Sequence, residues 1–299
     1  MKIKYHKSLE KKLVMKIRSP LRYPGGKSRA IKEIASYIIP NIPKNNKVCS
    51  PFFGGGSIEI YLAKLGYRVY GYDTFPPLVV FWKTLLRDPI RLANSVEKRL
   101  GVSKDEFLSI QDGFRGRYEK FSKVRCASTF YLLNRTSYSG TTLSGGMAID
   151  RDKTKLWERR NPRFNLASIE RLRNFSVKNL TVSMRDFEES IGKHKDALVY
   201  ADPPYYIGKK KLYGNQGDMH FTQDDHERLA RILKRRKRWI LSYNDVPEVR
   251  ELYRGFMRRK IKLSWSYGMS GVKSRKKKHS NEILVCSKDI KIQKQTELS

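Results

Sequence analysis

The chain has 299 residues, with 63 Lys plus Arg against 29 Asp plus Glu and a formal net charge of +34. That length can bury a sizeable core, as one large domain or two, while the charge far exceeds the magnitude of ~2–8 that suits a small soluble domain and points to a polyanion bound salt-dependently. Three scattered cysteines exclude a disulfide frame or zinc site, five histidines show no ligand spacing, and no apolar run reaches signal-peptide or membrane-span length, so a reduced, cytoplasmic, metal-free protein is expected.

Residues 1–18 read as a basic arm, mobile or turning once through Leu9, Leu13 and Ile17. Leu21-Arg22-Tyr23-Pro24-Gly25-Gly26-Lys27 follows. It reads either as a Pro-Gly turn before a helix starting near Ser28, or as a loop that sets Lys27 against a carboxylate and Tyr23 near a cofactor. Lys47-Val48-Cys49-Ser50-Pro51-Phe52-Phe53, then Gly54-Gly55-Gly56-Ser57, then apolar residues at helical spacing over 58–65 make a strand, a glycine turn and a helix. Glycines allow a tight turn and close approach to a ligand. A second strand over 68–72 ends at Asp73. An acid there, about 20 residues past the glycine loop, is placed for ribose hydroxyls. The loop lacks G-x-G-x-x-G, so the pattern fits a nucleoside cofactor without a pyrophosphate.

From Arg87 to residue 163 the apolar spacing is helical, with a boundary at Arg87-Asp88-Pro89 and a return after Trp157. This insert is the candidate target-recognition region. Its Gly-Ser-Thr loop over 137–146 reads either as small polar donors for a groove or as a flexible linker between helices.

Leu180-Thr181-Val182-Ser183 is a strand ending near Asp186, and Ala197-Leu198-Val199-Tyr200-Ala201 a buried one that stops at Asp202-Pro203-Pro204-Tyr205. Proline donates nothing to a ladder and fixes φ, so the pair holds its carbonyls in one direction beside a carboxylate and a ring. Such a tip suits an exocyclic base amine: the Asp202 carboxylate and Pro203 carbonyl accept its N–H groups, and Tyr205 stacks on the base. A plain strand-to-loop turn is the bland alternative. Residues 209–219 read as a lid that orders over DNA. Thr222 and Asp225 make a capping pair for a helix running to Leu233. A strand over 239–243 ends at Asn244-Asp245, and 262–267 with 282–286 form a closing strand pair joined by a basic loop near Lys276.

Taken in order, Tyr23-Pro24-Gly25-Gly26-Lys27, Pro51-Phe52-Phe53-Gly54-Gly55-Gly56-Ser57 and Asp202-Pro203-Pro204-Tyr205 resemble the motifs of the Dam-like, D12 class N6-adenine-specific DNA methyltransferases. Phe130 to Arg135, Phe164 with Ser168 to Leu172, Asp186-Phe187, and Phe221-Thr222 with Asp225-His226 extend the resemblance, which runs from about Ser19 to Ser287. It implies an α/β fold: a Rossmann-like S-adenosylmethionine-dependent methyltransferase sheet with an inserted, mostly helical target-recognition domain. The expected organisation is a basic arm over 1–18, catalytic halves over 19–86 and 164–290, the recognition domain over 87–163, and a tail over 291–299.

The resemblance also implies roles. Lys27 would hold the carboxylate of S-adenosyl-L-methionine, with Tyr23 close by. Phe52, Gly54 and Gly56 would line its methionine end, Asp73 its ribose, and Asp186 and Phe187 its adenine. Asp202, Pro203, Pro204 and Tyr205 would hold the flipped target adenine. Arg135, Ser139, Thr141, Lys209, Lys210, Arg275 and Lys276 are the candidate DNA contacts. Double-stranded DNA is the expected partner, with a cognate restriction endonuclease as a further one, and no membrane or metal. Three departures stand out: Ser50 where the family usually carries an acid, Thr74-Phe75 where Asn usually follows the ribose acid, and no Arg-x-Asn after the loop glycine, so a GATC target is not assigned. The rivals are an rRNA guanine-N2 methyltransferase, a cytosine-N4 enzyme, which would usually carry Ser at position 202, and a catalytically dead DNA-binding module on the same fold.

Overall fold

Short apolar runs bounded by turns become the strands of one sheet, and the periodic segments between them cover its two faces. The computed structural model describes residues 18–23, 25–148, 163–206, 221–259, 261–262 and 282–292. In chain order the sheet strands are β1 (Lys47–Ser50), β2 (Arg68–Asp73), β3 (Leu180–Met184), β4 (Leu198–Ala201), β5 (Trp239–Asn244), β6 (Ile261–Lys262) and β7 (Glu282–Cys286). Their spatial order is β3-β2-β1-β4-β5-β7-β6. Strands β1 to β5 pair in parallel, and β7 runs antiparallel to both β5 and β6.

Connectivity locates the site. From β1 the chain winds outward through β2 and β3, then returns to place β4 on the other side of β1 and continues to β5. Neighbouring strands β1 and β4 therefore send their chains in opposite directions, which opens a crevice at their carboxyl ends. The glycine loop leaves β1 into that crevice, and Asp202 leaves β4 into it.

Helix α1 (Ile31–Ile38) buries Ile31, Ile34, Ala35 and Ile38, one face at helical spacing. Helix α2 (Ser57–Lys64) is buried from Ser57 through Ala63. Between β2 and β3 lie α3 (Pro76–Arg87), α4 (Pro89–Glu97), α5 (Lys104–Phe114), α6 (Lys123–Thr136) and α7 (Leu166–Arg173). Prolines open α3 and α4 where no helical N–H bond is lost, so the expected boundary at Asp88 is a helix-to-helix junction. The Asp88 side chain caps α4 by accepting from the Arg91 N–H. Ser103 and Glu106 cap α5 reciprocally.

Strand β4 shows why the sheet needs cover on both faces: Leu198 and Tyr200 enter one hydrophobic cluster, Val199 and Ala201 the other. The first cluster runs without a break from Val48 and Val69 into Trp82, Phe107, Phe130 and Tyr131, so the inserted helices share a core with the sheet. The second packs α8 (Phe187–Lys193), α9 (Gln223–Lys234) and α10 (Pro247–Leu252) on the opposite face. Thr222 and Asp225 cap α9 as expected. The three cysteines are buried thiols outside any disulfide. The expected strand over 262–267 is described only at Lys262, and the basic arm over 1–17 and the lid over 209–219 lie outside the described residues.

Candidate active site

Asp202 follows β4 directly, and Lys27 reaches it across 175 positions of sequence. The Lys27 Nζ donates to both carboxylate oxygens, at 2.6 and 2.7 Å, and to the Gly25 carbonyl at 2.9 Å. The lysine side chain is 3% exposed and that of Asp202 21%, so the carboxylate is the member that faces the crevice. Burial raises the Asp202 pKa, and the neighbouring ammonium pulls it back. The same Nζ sits 4.9 Å from the centre of the Tyr205 ring, within cation–π range.

The strand-end segment is clamped from β5. Asn244 Oδ1 accepts from the Tyr206 N–H at 3.1 Å, and Asn244 Nδ2 donates to the Tyr206 carbonyl at 2.7 Å. Tyr205 stacks on Tyr243 with ring centres 6.3 Å apart. The Tyr243 hydroxyl shares a hydrogen bond with His226 Nδ1, and burial lowers the His226 pKa to about 4, leaving the ring neutral near pH 7. Asn244 and His226 carry no local signal of this role.

At the end of β1 the backbone takes left-handed conformations at Gly54 (φ 48°) and Gly56 (φ 64°), which favour glycine. A Cβ on Gly54 would come within 2.8 Å of the Tyr23 ring, so the amino-terminal loop lies directly over the glycine turn. The Trp82 indole donates to the Gly54 carbonyl at 3.0 Å. Asp73, at the end of β2, accepts from the Gly54 N–H at 2.9 Å and the Phe75 N–H at 3.0 Å, and burial raises its pKa. Ser50, the last residue of β1, donates its hydroxyl to buried Glu59 at 2.7 Å. The acid of this corner thus comes from α2, nine positions downstream in the sequence.

Phe52 stacks on Phe187 with centres 5.6 Å apart, and Phe221 closes the group edge-on to Phe52 at 5.4 Å. Asp186 caps α8 by accepting from the Glu188 N–H at 2.8 Å. Arg228 lies 4.9 Å from the Phe187 ring centre and pairs with Asp225, Glu188 and Asp186. Phe221 and Arg228 complete this wall. Phe221 belongs to the Phe221-Thr222 element of the resemblance, whereas Arg228 sits inside a charged helix and has no periodic signature.

The candidate recognition loop is pinned rather than free. Gln111 donates to the Thr142 and Gly145 carbonyls at 2.7 and 3.0 Å, and Arg115 to the Leu143 carbonyl at 2.7 Å. Asn134 accepts from the Arg22 N–H at 2.9 Å and donates to the Arg22 carbonyl at 2.7 Å, tying this loop to the one carrying Tyr23 and Lys27. Ser139 takes a positive φ, Thr141 donates to the Tyr138 carbonyl at 2.9 Å, and Tyr138 projects 63% exposed beside them. Arg135 donates to the Arg163 carbonyl at 2.9 Å. Arg22, Arg135 and Arg163 form one basic cluster, and burial with these like charges lowers the Arg22 pKa to about 10. Lys209, Lys210, Arg275 and Lys276 lie outside the described residues.

A mostly parallel sheet with a reversal of strand order, a glycine loop on one side of the crevice and Asp-Pro-Pro-Tyr on the other, is an arrangement that fits the methyltransferase class of α/β enzyme. Residues 23–267 match the D12 class N6 adenine-specific DNA methyltransferases, and the chain belongs to that family. It is 27% identical over 279 residues to the Retron Ec67 DNA adenine methylase of Escherichia coli, an alignment covering 89% of this chain and 90% of the relative. The protein is accordingly a DNA adenine-N6 methyltransferase. Among the described residues there is no cluster of three or more potential metal ligands, and no helix is long and apolar enough to cross a membrane.

Proposed function

We propose that the protein is a cytoplasmic enzyme that methylates N6 of an adenine flipped out of duplex DNA within one short sequence, with S-adenosyl-L-methionine as methyl donor. The observation that carries this reading is the Asp202 carboxylate, partly open at the carboxyl end of β4, with Tyr205 beside it and Asn244 clamping the segment. The residues across the crevice suit the cofactor's chemistry: a carboxylate in Asp73 for hydroxyls, the stacked Phe52 and Phe187 for an adenine ring, Asp186 for its amino group, and an ammonium in Lys27. Gly54, under Tyr23, and Gly56, against the Phe53 ring, keep side chains out of the approach. When bound, S-adenosylmethionine supplies an electrophilic methyl on a sulfonium and leaves as the thioether.

The base must leave the stack, at about a few kcal/mol, and stacking on Tyr205 offsets part of that. Asp202 then accepts one N6–H and the Pro203 carbonyl the other, with Pro204 fixing the direction of the segment. Both bonds draw the amine toward a tetrahedral form whose lone pair attacks the methyl. The N6 proton passes to Asp202 and on to water. Positioning supplies most of the acceleration. Residues 87–163 act as the target-recognition region. Arg135 and the pinned loop with Ser139 and Thr141 face the DNA, and Lys209, Lys210, Arg275 and Lys276 add backbone contacts.

The test is expression in a methylation-deficient host, followed by single-molecule sequencing of its genomic DNA. N6-methyladenine in one recurring motif is expected. A folded protein that binds S-adenosylmethionine yet leaves every adenine unmodified would refute the reading.

A further inference from the structure

Asn134 stands in the last turn of α6, 1% exposed, and its amide bonds to the main chain of two separate loops. The oxygen accepts from the Arg22 N–H at 2.9 Å. The nitrogen donates to the Arg22 carbonyl at 2.7 Å and to the Gly140 carbonyl at 3.1 Å. One side chain thus grips both polar groups of Arg22, before α1, and holds the loop over 137–146 as well. Arg22 answers in the other direction, donating its guanidinium to the Ser137 carbonyl at 3.1 Å. Gly140, with φ 79°, lies so close that a Cβ there would come 2.0 Å from the Arg22 carbonyl oxygen. The two loops therefore meet main chain to main chain, with no room for a side chain between them.

From Arg22 the contacts run on to Asp202. Tyr23 covers the glycine turn: a Cβ on Gly54 or on Gly55 would come 2.8 Å from its side chain. The Tyr23 carbonyl accepts from the Gly26 N–H at 3.0 Å. The Gly25 carbonyl accepts from the Lys27 ammonium, which also holds the Asp202 carboxylate. A shift of the loop over 137–146 is passed to Tyr23 and Lys27 inside one short segment of chain.

We propose that Asn134 is a positioning residue that makes these two loops one unit, so that a correct duplex seated on 137–146 tightens cofactor binding and speeds methyl transfer. The inference rests on the reading that 137–146 faces DNA and that Tyr23 and Lys27 line the cofactor site. A ligand that orders one of two loops sharing these bonds lowers the cost of ordering the other, which couples the two ligands positively. The coupling is reciprocal, so bound cofactor strengthens the hold on the target duplex by the same factor. A duplex with a wrong base seats the loop poorly and loses both effects.

The test compares a duplex carrying the motif that sequencing of the host genome reveals with the same duplex changed at one base pair. Calorimetry gives the affinity of the full chain, saturated with each duplex, for S-adenosylhomocysteine. Single-turnover methylation rates and thermal melts accompany it, for wild type, Asn134→Ala and Gly140→Ala. Wild type is expected to bind S-adenosylhomocysteine about tenfold more tightly on the target duplex, within the span of about 5- to 150-fold typical of such couplings. Asn134→Ala should bring that ratio close to one and shrink the difference in rate between the duplexes. Gly140→Ala keeps the Asn134 amide but drives a methyl group into the Arg22 carbonyl from the opposite loop, and it should act in the same way. A merely structural role would lower the melting temperature and leave the ratio intact. A wild-type ratio of one, or folded variants that keep the wild-type ratio, overturns the inference alone. A wild type that methylates no adenine overturns the reading of the site and the inference with it.

Discussion

Asn244 clamps the segment proposed to hold the base. Its amide accepts from the Tyr206 N–H at 3.1 Å and donates to the Tyr206 carbonyl at 2.7 Å, one residue past the ring proposed to stack on the base. Asn244→Ala removes both bonds. At about 0.5–1.5 kcal/mol each, the segment loses about 1–3 kcal/mol of restraint. If that restraint is what holds Asp202 and Tyr205 in the reactive arrangement, kcat falls about 5- to 150-fold. Asn244→Asp keeps the acceptor but turns an oxygen toward the Tyr206 carbonyl, and it puts a second acid opposite Glu282 in the β5–β7 register. It should therefore do no better than alanine. The assay is initial rates at saturating DNA and cofactor, with cofactor affinity measured by calorimetry. Affinity should hold, because Asn244 is hydrogen-bonded to Tyr206 and not to the corner formed by β1 and β2. A normal kcat in Asn244→Ala, or a loss confined to cofactor affinity, refutes the reasoning.

Asp202→Ala is expected to abolish methyl transfer while cofactor affinity by calorimetry is largely kept; near-normal turnover would remove Asp202 from the reaction. Gly71→Ala would bring a Cβ to 2.1 Å from the Phe53 ring, which is itself packed edge-on to Trp82. A cost of about 1–3 kcal/mol in urea denaturation is expected, and an unshifted midpoint would mean the ring has room to move. His226 is held neutral by burial, with its pKa lowered from 6.5 to about 4. The unfolded chain takes up this proton first as pH falls. The stability His226 contributes is thus complete above about 6.5 and is lost between there and about 4. His226→Gln should flatten that part of the stability profile, and an identical acid slope in the variant would exclude His226 as its source.

Much of the architecture was legible in the chain because its causes are local. Four-residue apolar runs such as Leu198–Ala201, a glycine turn whose φ values few other residues take, and caps such as Thr222 with Asp225 act within one or two turns of backbone. The order of three motifs, each at the end of a strand or before a helix, was enough to name the family. The wiring between the candidate site residues was not legible. Lys27 bonds a carboxylate 175 positions away, Asn134 bonds a residue 112 positions away, and Asn244 clamps a peptide 38 positions upstream. Such contacts leave no periodic trace, since any sequence separation serves once the sheet brings the strand ends together.

Glu59 marks the division most clearly. In sequence it is an acid interrupting the apolar pattern of α2, which on that pattern alone belongs in solvent. Only the packed structure turns it inward, because α2 is covered on all sides from Ser57 to Ala63 and because Ser50, at the point where β1 ends, offers the hydroxyl that its carboxyl needs. Local propensity determined that a helix starts after the glycine turn. Burial, which depends on every other element of the fold, decided that its acid meets the Ser50 hydroxyl instead of water.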